Sequence, residues 1–148
     1  MSEAAVAELV EILGEQVQLY RTWNELAGRK EAALRQADVQ TVEQLNKLEQ
    51  ALVIKGGGLE KRRYAVQVKL AAVWGVPVEE VTLPAVSERT DAVTAARCRA
   101  TGAELQRLLE ELRERNARCA SIIAGALELV KRTLDNVAKG QNLVDRLV

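Results

Sequence analysis

Histidine is missing from this 148-residue chain, and so is phenylalanine. Without histidine the commonest general base and the commonest metal ligand disappear together. Serine and cysteine then have no imidazole partner, and no nucleophile–base–orienter triad can be assembled. Two Tyr and two Trp are the whole aromatic complement. Rings supply much of the buried area of ordinary cores, so this core must be built from Leu, Val, Ile and Ala, which suits helices packed along seams. The only cysteines are Cys98 and Cys119. On one helix they would lie ~31 Å apart, beyond disulfide reach, and two reduced thiols fit the cytosol. A net charge of zero removes the bulk electrostatic drive toward nucleic acid or a membrane surface. No apolar run approaches the length of a membrane span, and the opening MSEAAVAELVEIL carries acids where a signal peptide needs a basic start. The expectation is a cytoplasmic protein that neither inserts into membranes nor binds nucleic acid.

What the chain does have is helical periodicity. Its 48% hydrophobic and 28% charged content excludes wholesale disorder, and its length fits one all-α domain over residues 1–148. The most informative stretch runs from Glu104 to Val137. There Leu105, Leu108, Leu109, Leu112, Asn116, Cys119, Ile122, Ile123, Ala126, Leu127, Val130, Leu134 and Val137 follow at steps of one, three or four. That spacing draws a wide apolar stripe down one side of a long helix. The stripe is longer than a chain of this size easily covers with its own surface. A long apolar face without chemistry on it points to a protein that grips another helix.

A first helix is expected over about 3–37, where Val6, Leu9, Val10, Leu13, Val17, Tyr20, Asn24, Ala27 and Leu34 keep near-heptad spacing. Asp38 fits an N-cap, because one unbroken helix through it would be far longer than usual. A second helix follows over about 39–74 on Val42, Leu45, Leu48, Leu52, Leu59, Val66, Leu70 and Val73. The triplet Gly56-Gly57-Gly58 in its middle reads either as a loop or as a kink. Heptad phase continues across it, which favours a continued helix. No strand precedes the triplet and no Lys-Ser or Lys-Thr follows, so it does not match a phosphate loop. Gly75-Val76-Pro77 marks a C-terminus, residues 75–87 form a connector with a short turn capped by Thr82, and a third helix is expected over about 88–139. Gly140 then closes it, leaving a short tail over 140–148. The architecture is a long antiparallel helical hairpin plus a long C-terminal helix in a coiled-coil-like bundle.

Charged clusters read as solvent-facing. Adjacent acids such as Glu110 and Glu111 point about 100° apart on a helix and cannot address one substrate. Lys61-Arg62-Arg63 and the Arg97/Arg99 pair are small and lack interleaved aromatics. No catalytic, cofactor or metal residues are assigned. Asn116 interrupts the stripe, and two readings stand level. It either fixes partner geometry, as a buried seam asparagine can, or pairs inside the fold, with Asn24 as the candidate. Cys119, one turn later, reads as a small packing residue.

The segment Leu112-Arg113-Glu114-Arg115-Asn116-Ala117-Arg118-Cys119-Ala120 resembles the L-x-x-x-N-x-x-L core of the FlgN-type flagellar export chaperones. The opening VAELVEILGEQVQLYRTWNELAGRKEAAL and the ADVQTVEQL break are similar to that family's first helix and its first interhelical turn. The likeness runs in order over nearly the whole chain, departing where Cys119 replaces a leucine and where the glycine triplet stands. The resemblance implies a chaperone that binds the C-terminal helices of hook–filament junction proteins, keeps them from premature assembly and delivers them to the export machinery. It needs no cofactor. The expected partner-binding face is Leu112, Asn116, Cys119, Ile122, Ile123, Ala126, Leu127, Val130 and Leu134. A coiled-coil scaffold or homodimeric bundle, in which the stripe is core, and a stalk or regulatory part of a secretion complex are the alternatives.

Overall fold

The computed structural model describes residues 2–147, and every regular element in that range is helical. Helix α1 spans Ser2–Arg35, α2 spans Val39–Trp74, a single 3₁₀ turn covers Val78–Glu80, α3 spans Leu83–Glu88 and α4 spans Ala92–Leu147. The all-α class read from periodicity is therefore observed.

The α1–α2 turn is three residues long and closes by local chemistry. Asp38 N donates to Ala33 O at 2.9 Å and Ala37 N to Leu34 O at 3.2 Å, the paired bonds that end a helix through a left-handed residue. That residue is Ala37, at φ 55°, where glycine would carry no Cβ penalty. Asp38 then starts α2, its Oδ1 accepting from Thr41 N at 3.2 Å and its Oδ2 from Thr41 Oγ1 at 2.6 Å. At the far end Gly75 takes φ 66° and its N–H bonds Ala71 O.

Antiparallel pairing of α1 and α2 is registered by Lys69 with Glu8, Arg62 with Glu15, Gln16 with Glu60 and Lys30 with Glu49. Between them Leu19 lies against Gly56, where an added Cβ would stand 3.1 Å from Leu19 Cδ2. The glycine triplet is neither loop nor break: α2 runs helically through it, held by Leu45, Leu59, Val66 and Leu70 buried on the α1 side.

The connector folds back as a strap. Val81 and Val86 are buried with Leu9, Leu13, Leu70 and Cys98, plugging the end of the bundle where α1 begins and α2 ends. Gln67 Nε2 donates to Val81 O at 3.0 Å, and the Arg89 guanidinium sits 4.7 Å from the Trp74 ring centroid. Thr82 caps α3 through a 3.3 Å bond from Ala85 N. Asp91 opens the last helix, accepting from Thr94 N at 2.8 Å. Nor does Gly140 stop it: α4 continues to Leu147, so the expected separate tail over 140–148 is helix through residue 147, and residue 148 lies outside the described residues. An internal glycine lowers helix propensity by about 1 kcal/mol, which is not enough by itself to end a helix this long.

Two outcomes are expected. Ala37→Gly should stabilise the protein by about 0.5–1 kcal/mol in chemical denaturation, since it relieves the left-handed strain. The second concerns acid. Bonds from the Thr41 hydroxyl and amide hold the Asp38 carboxyl below the ordinary aspartate range, and bonds from the Thr94 amide and hydroxyl do the same for Asp91. A lowered folded-state pKa adds stability above the unfolded value, near 3.9, and that stability is lost as pH falls through the folded value. Melting temperature should therefore drop more steeply below about pH 4 in the parent than in an Asp38→Asn/Asp91→Asn variant.

Candidate partner-binding site

Helix α1 packs against α2 on one side and α4 on another, while α2 and α4 have at most marginal contact. Unlike α2, α4 runs parallel to α1. Arg21 pairs with Glu104, Asn24 with the Leu108 carbonyl, and Arg118 Nε with Glu31 at 2.5 Å. Cys119 Sγ lies 4.0 Å from Ala27 O, and the Arg115 guanidinium lies over Gly28, so close that an added Cβ would stand 2.8 Å from its Nη1.

Asn24 is the polar centre of this contact. It is buried, and its Nδ2 donates to Tyr20 O at 2.9 Å and to Leu108 O at 3.0 Å, while Oδ1 has no partner among the described residues. An apolar residue would pack there without that unpaired oxygen. What the amide adds is axial register, because a slide of α4 along α1 breaks the bond to Leu108. Asn24 thus does not pair with Asn116, which is exposed.

Parallel packing with this offset has a geometric result. Helix α1 ends at Arg35, which lines one shallow notch with Ala117, Arg118, Ser121 and Ile122. Helix α4 continues for roughly 25 more residues, ~37 Å at 1.5 Å per residue. Every described side chain from Ile123 to Arg146 is exposed. Eight of the nine residues expected to form one face therefore fall into two groups. Leu112 (6% exposed) and Cys119 (4%) are core against α1, and Ile122 is half-buried at the margin. Ile123, Ala126, Leu127 (65%), Val130 and Leu134 (63%) stand clear of the bundle. Asn116 belongs to neither group, sitting on the solvent side of the docked half.

The exposed half carries its own seam. Ile123, Leu127, Val130, Leu134, Val137 and Val144 follow at steps of four and three once Gln141 is counted in the row, as in a coiled coil. Beside the seam stand Ala124, Ala126, Ala138 and Gly140, small residues that let a partner backbone come close. Val137 and Val144 were not among the expected face residues. Val137 belongs to the expected stripe but not to the expected face, and Val144 lies beyond the helix end expected at Gly140. An exposed apolar strip of this length is unusual for a monomer.

A family model described as FlgN protein matches residues 1–143. The chain belongs to the FlgN family. Membership supplies the general role of a flagellar export chaperone that binds export substrates, and the extended end of α4 is a surface suited to that role. No curated protein and no solved structure gives a match. No helix among the described residues is long and apolar enough to cross a membrane. The thiols play no visible part: burial pushes both Cys98 and Cys119 above the ordinary thiol range, away from the thiolate needed for reactivity.

The division of α4 into docked and free halves gives a paired expectation. Leu112→Ala should cost about 2–5 kcal/mol in urea unfolding, as a buried large-to-small change does. Leu134→Ala, at the same kind of seam position, should stay within about 0.5 kcal/mol of the parent.

Proposed function

We propose that the protein captures the C-terminal helical region of hook–filament junction proteins along the free end of α4. It thereby keeps them from assembling prematurely and delivers them for export. The reading rests on FlgN membership and on one observation, the uncovered seam from Ile123 to Val144. A cargo segment made to polymerise presents an apolar helical face of its own, and pairing two such faces masks both from water. The contact face is Ile122, Ile123, Ala126, Leu127, Val130 and Leu134, extended by Val137 and Val144. Leu112 and Cys119 act behind it, anchoring the root of the helix to α1, and the Asn24 bond to Leu108 sets how much of α4 projects. The cytosol is the compartment this role requires. Release takes no covalent step by this chain, and hand-over falls to the export machinery.

Calorimetric titration of the full chain with a C-terminal peptide from a hook–filament junction protein tests this directly. Saturable binding is expected, together with new amide protection over residues 123–144. Leu127→Asp should abolish it while leaving the circular dichroism and denaturation midpoint of the bundle nearly unchanged. A peptide that does not bind, alongside concentration-dependent dimers that Leu127→Asp dissolves, would instead assign the seam to a second copy of the chain and favour the scaffold reading.

A further inference from the structure

Helix α2 is apolar on two sides, and only one of them is used. Its inner side meets α1 through Leu45, Leu59, Val66 and Leu70. On the side away from α1, Ile54, Gly58, Lys61, Ala65, Val68 and Ala72 follow at steps of four and three, and all are exposed. Ile54 is 77% exposed, with Val53 and Tyr64 also standing out beside the row. Beyond the helix's own neighbouring backbone, nothing among the described residues lies within 4 Å of where a Cβ would stand on Gly57 or Gly58. Each of these glycines costs the helix about 1 kcal/mol relative to alanine, and no contact inside the fold takes advantage of the space.

From Lys47 onward the exposed charges on this face are basic, with Glu43 standing on the same side one turn earlier. From Lys47 to Trp74 the acids are Glu49 and Glu60. Glu49 meets Lys30 and Trp23 on α1, and Glu60, on the flank, is shared between Gln16 of α1 and Arg63 of α2. Lys47, Lys55 and Lys61 make no ion pair among the described residues, and Arg62 and Lys69 border the same face with only exposed pairs to Glu15 and Glu8.

We infer that the outer face of α2 is a second docking surface, and that its partner is an acidic amphipathic helix of another protein. The apolar row with its glycine notch admits a helix at close axial distance, and the unpaired lysines select glutamate- and aspartate-flanked seams. A second copy fits poorly. Packing the face on itself brings its bases together without acids to pair them. The free end of α4 from another copy offers four basic against three acidic residues over 123–147, so it is not the acidic partner. A membrane surface is disfavoured because half the row is glycine or alanine, with little bulk to insert.

The surface is separate from the α4 seam, so it is tested in the full-length Leu127→Asp protein, where that seam is disabled. The probe is a fluorescein-labelled 21-residue helical peptide with a leucine seam flanked by glutamates, followed by anisotropy. The same peptide with lysines for glutamates, and phosphatidylglycerol vesicles, are run beside it. Saturable binding of the glutamate peptide is expected, weakened at least tenfold by Lys61→Glu and by Ile54→Asp, with helicity unchanged in both variants. Equal binding of the lysine peptide, indifference to both substitutions, or binding to vesicles but not to the glutamate peptide would each overturn the inference.

Discussion

Burial of α1 from two directions is the constraint on which the rest depends. The other long helices have one partner or less along most of their length, whereas α1 lies between α2 and α4 and must be apolar toward both. Its buried set (Val6, Leu9, Ile12, Leu13, Val17, Leu19, Leu26, Ala27) is accordingly spread around the helix instead of forming one stripe. Two polar residues are admitted to this interior. Gln16 reaches across to Glu60 on α2 at 2.9 Å and Asn24 to the Leu108 carbonyl on α4 at 3.0 Å. Apolar contact alone is indifferent to small slides along an axis, and these two amides remove that freedom, one on each side of α1.

Because α1 sets the length of its neighbours' cover, its end at Arg35 also sets where α4 becomes uncovered. The same periodic row on α4 is core at Leu112 and Cys119 and surface from Ile123 onward, with no change in residue chemistry between them. Position relative to α1, not composition, decides which leucine holds the fold and which is available to a partner.

That is why sequence reading reached the fold more surely than the site. The helical class, the Asp38 and Thr82 caps and the Gly75 terminus are local, written in side chains within a few residues of the backbone groups they satisfy. The stripe on α4 was likewise legible as a stripe. Which part of it was covered was not, because the cover depends on parallel packing against a helix about 85 positions earlier in the chain. Asn116 shows the same limit. It falls in the apolar spacing, yet the docked half of α4 turns it to solvent, and the buried asparagine proves to be Asn24. The second face of α2 was hidden by the stronger one, since a period that explains Leu45, Leu52, Leu59 and Val66 draws the eye away from a weaker row on the opposite side.

The continuity of α4 through its docked and free halves bears on how the free half behaves. An isolated helix must first be nucleated, with a nucleation constant near 10⁻³, about 4 kcal/mol, and short segments in water are marginal for that reason. Here the turns held against α1 by Leu108, Leu112 and Cys119 already supply the nucleus. Residues beyond Ile123 need only propagate from an existing template, one hydrogen bond per residue fixed. Fraying then starts at the far end and works back toward the bundle, with Gly140 and Gly125 as the weak points along the way. In the proposed capture, a partner helix arriving near Ile123 would meet ordered turns first and zip the remainder outward, from the root toward the tip.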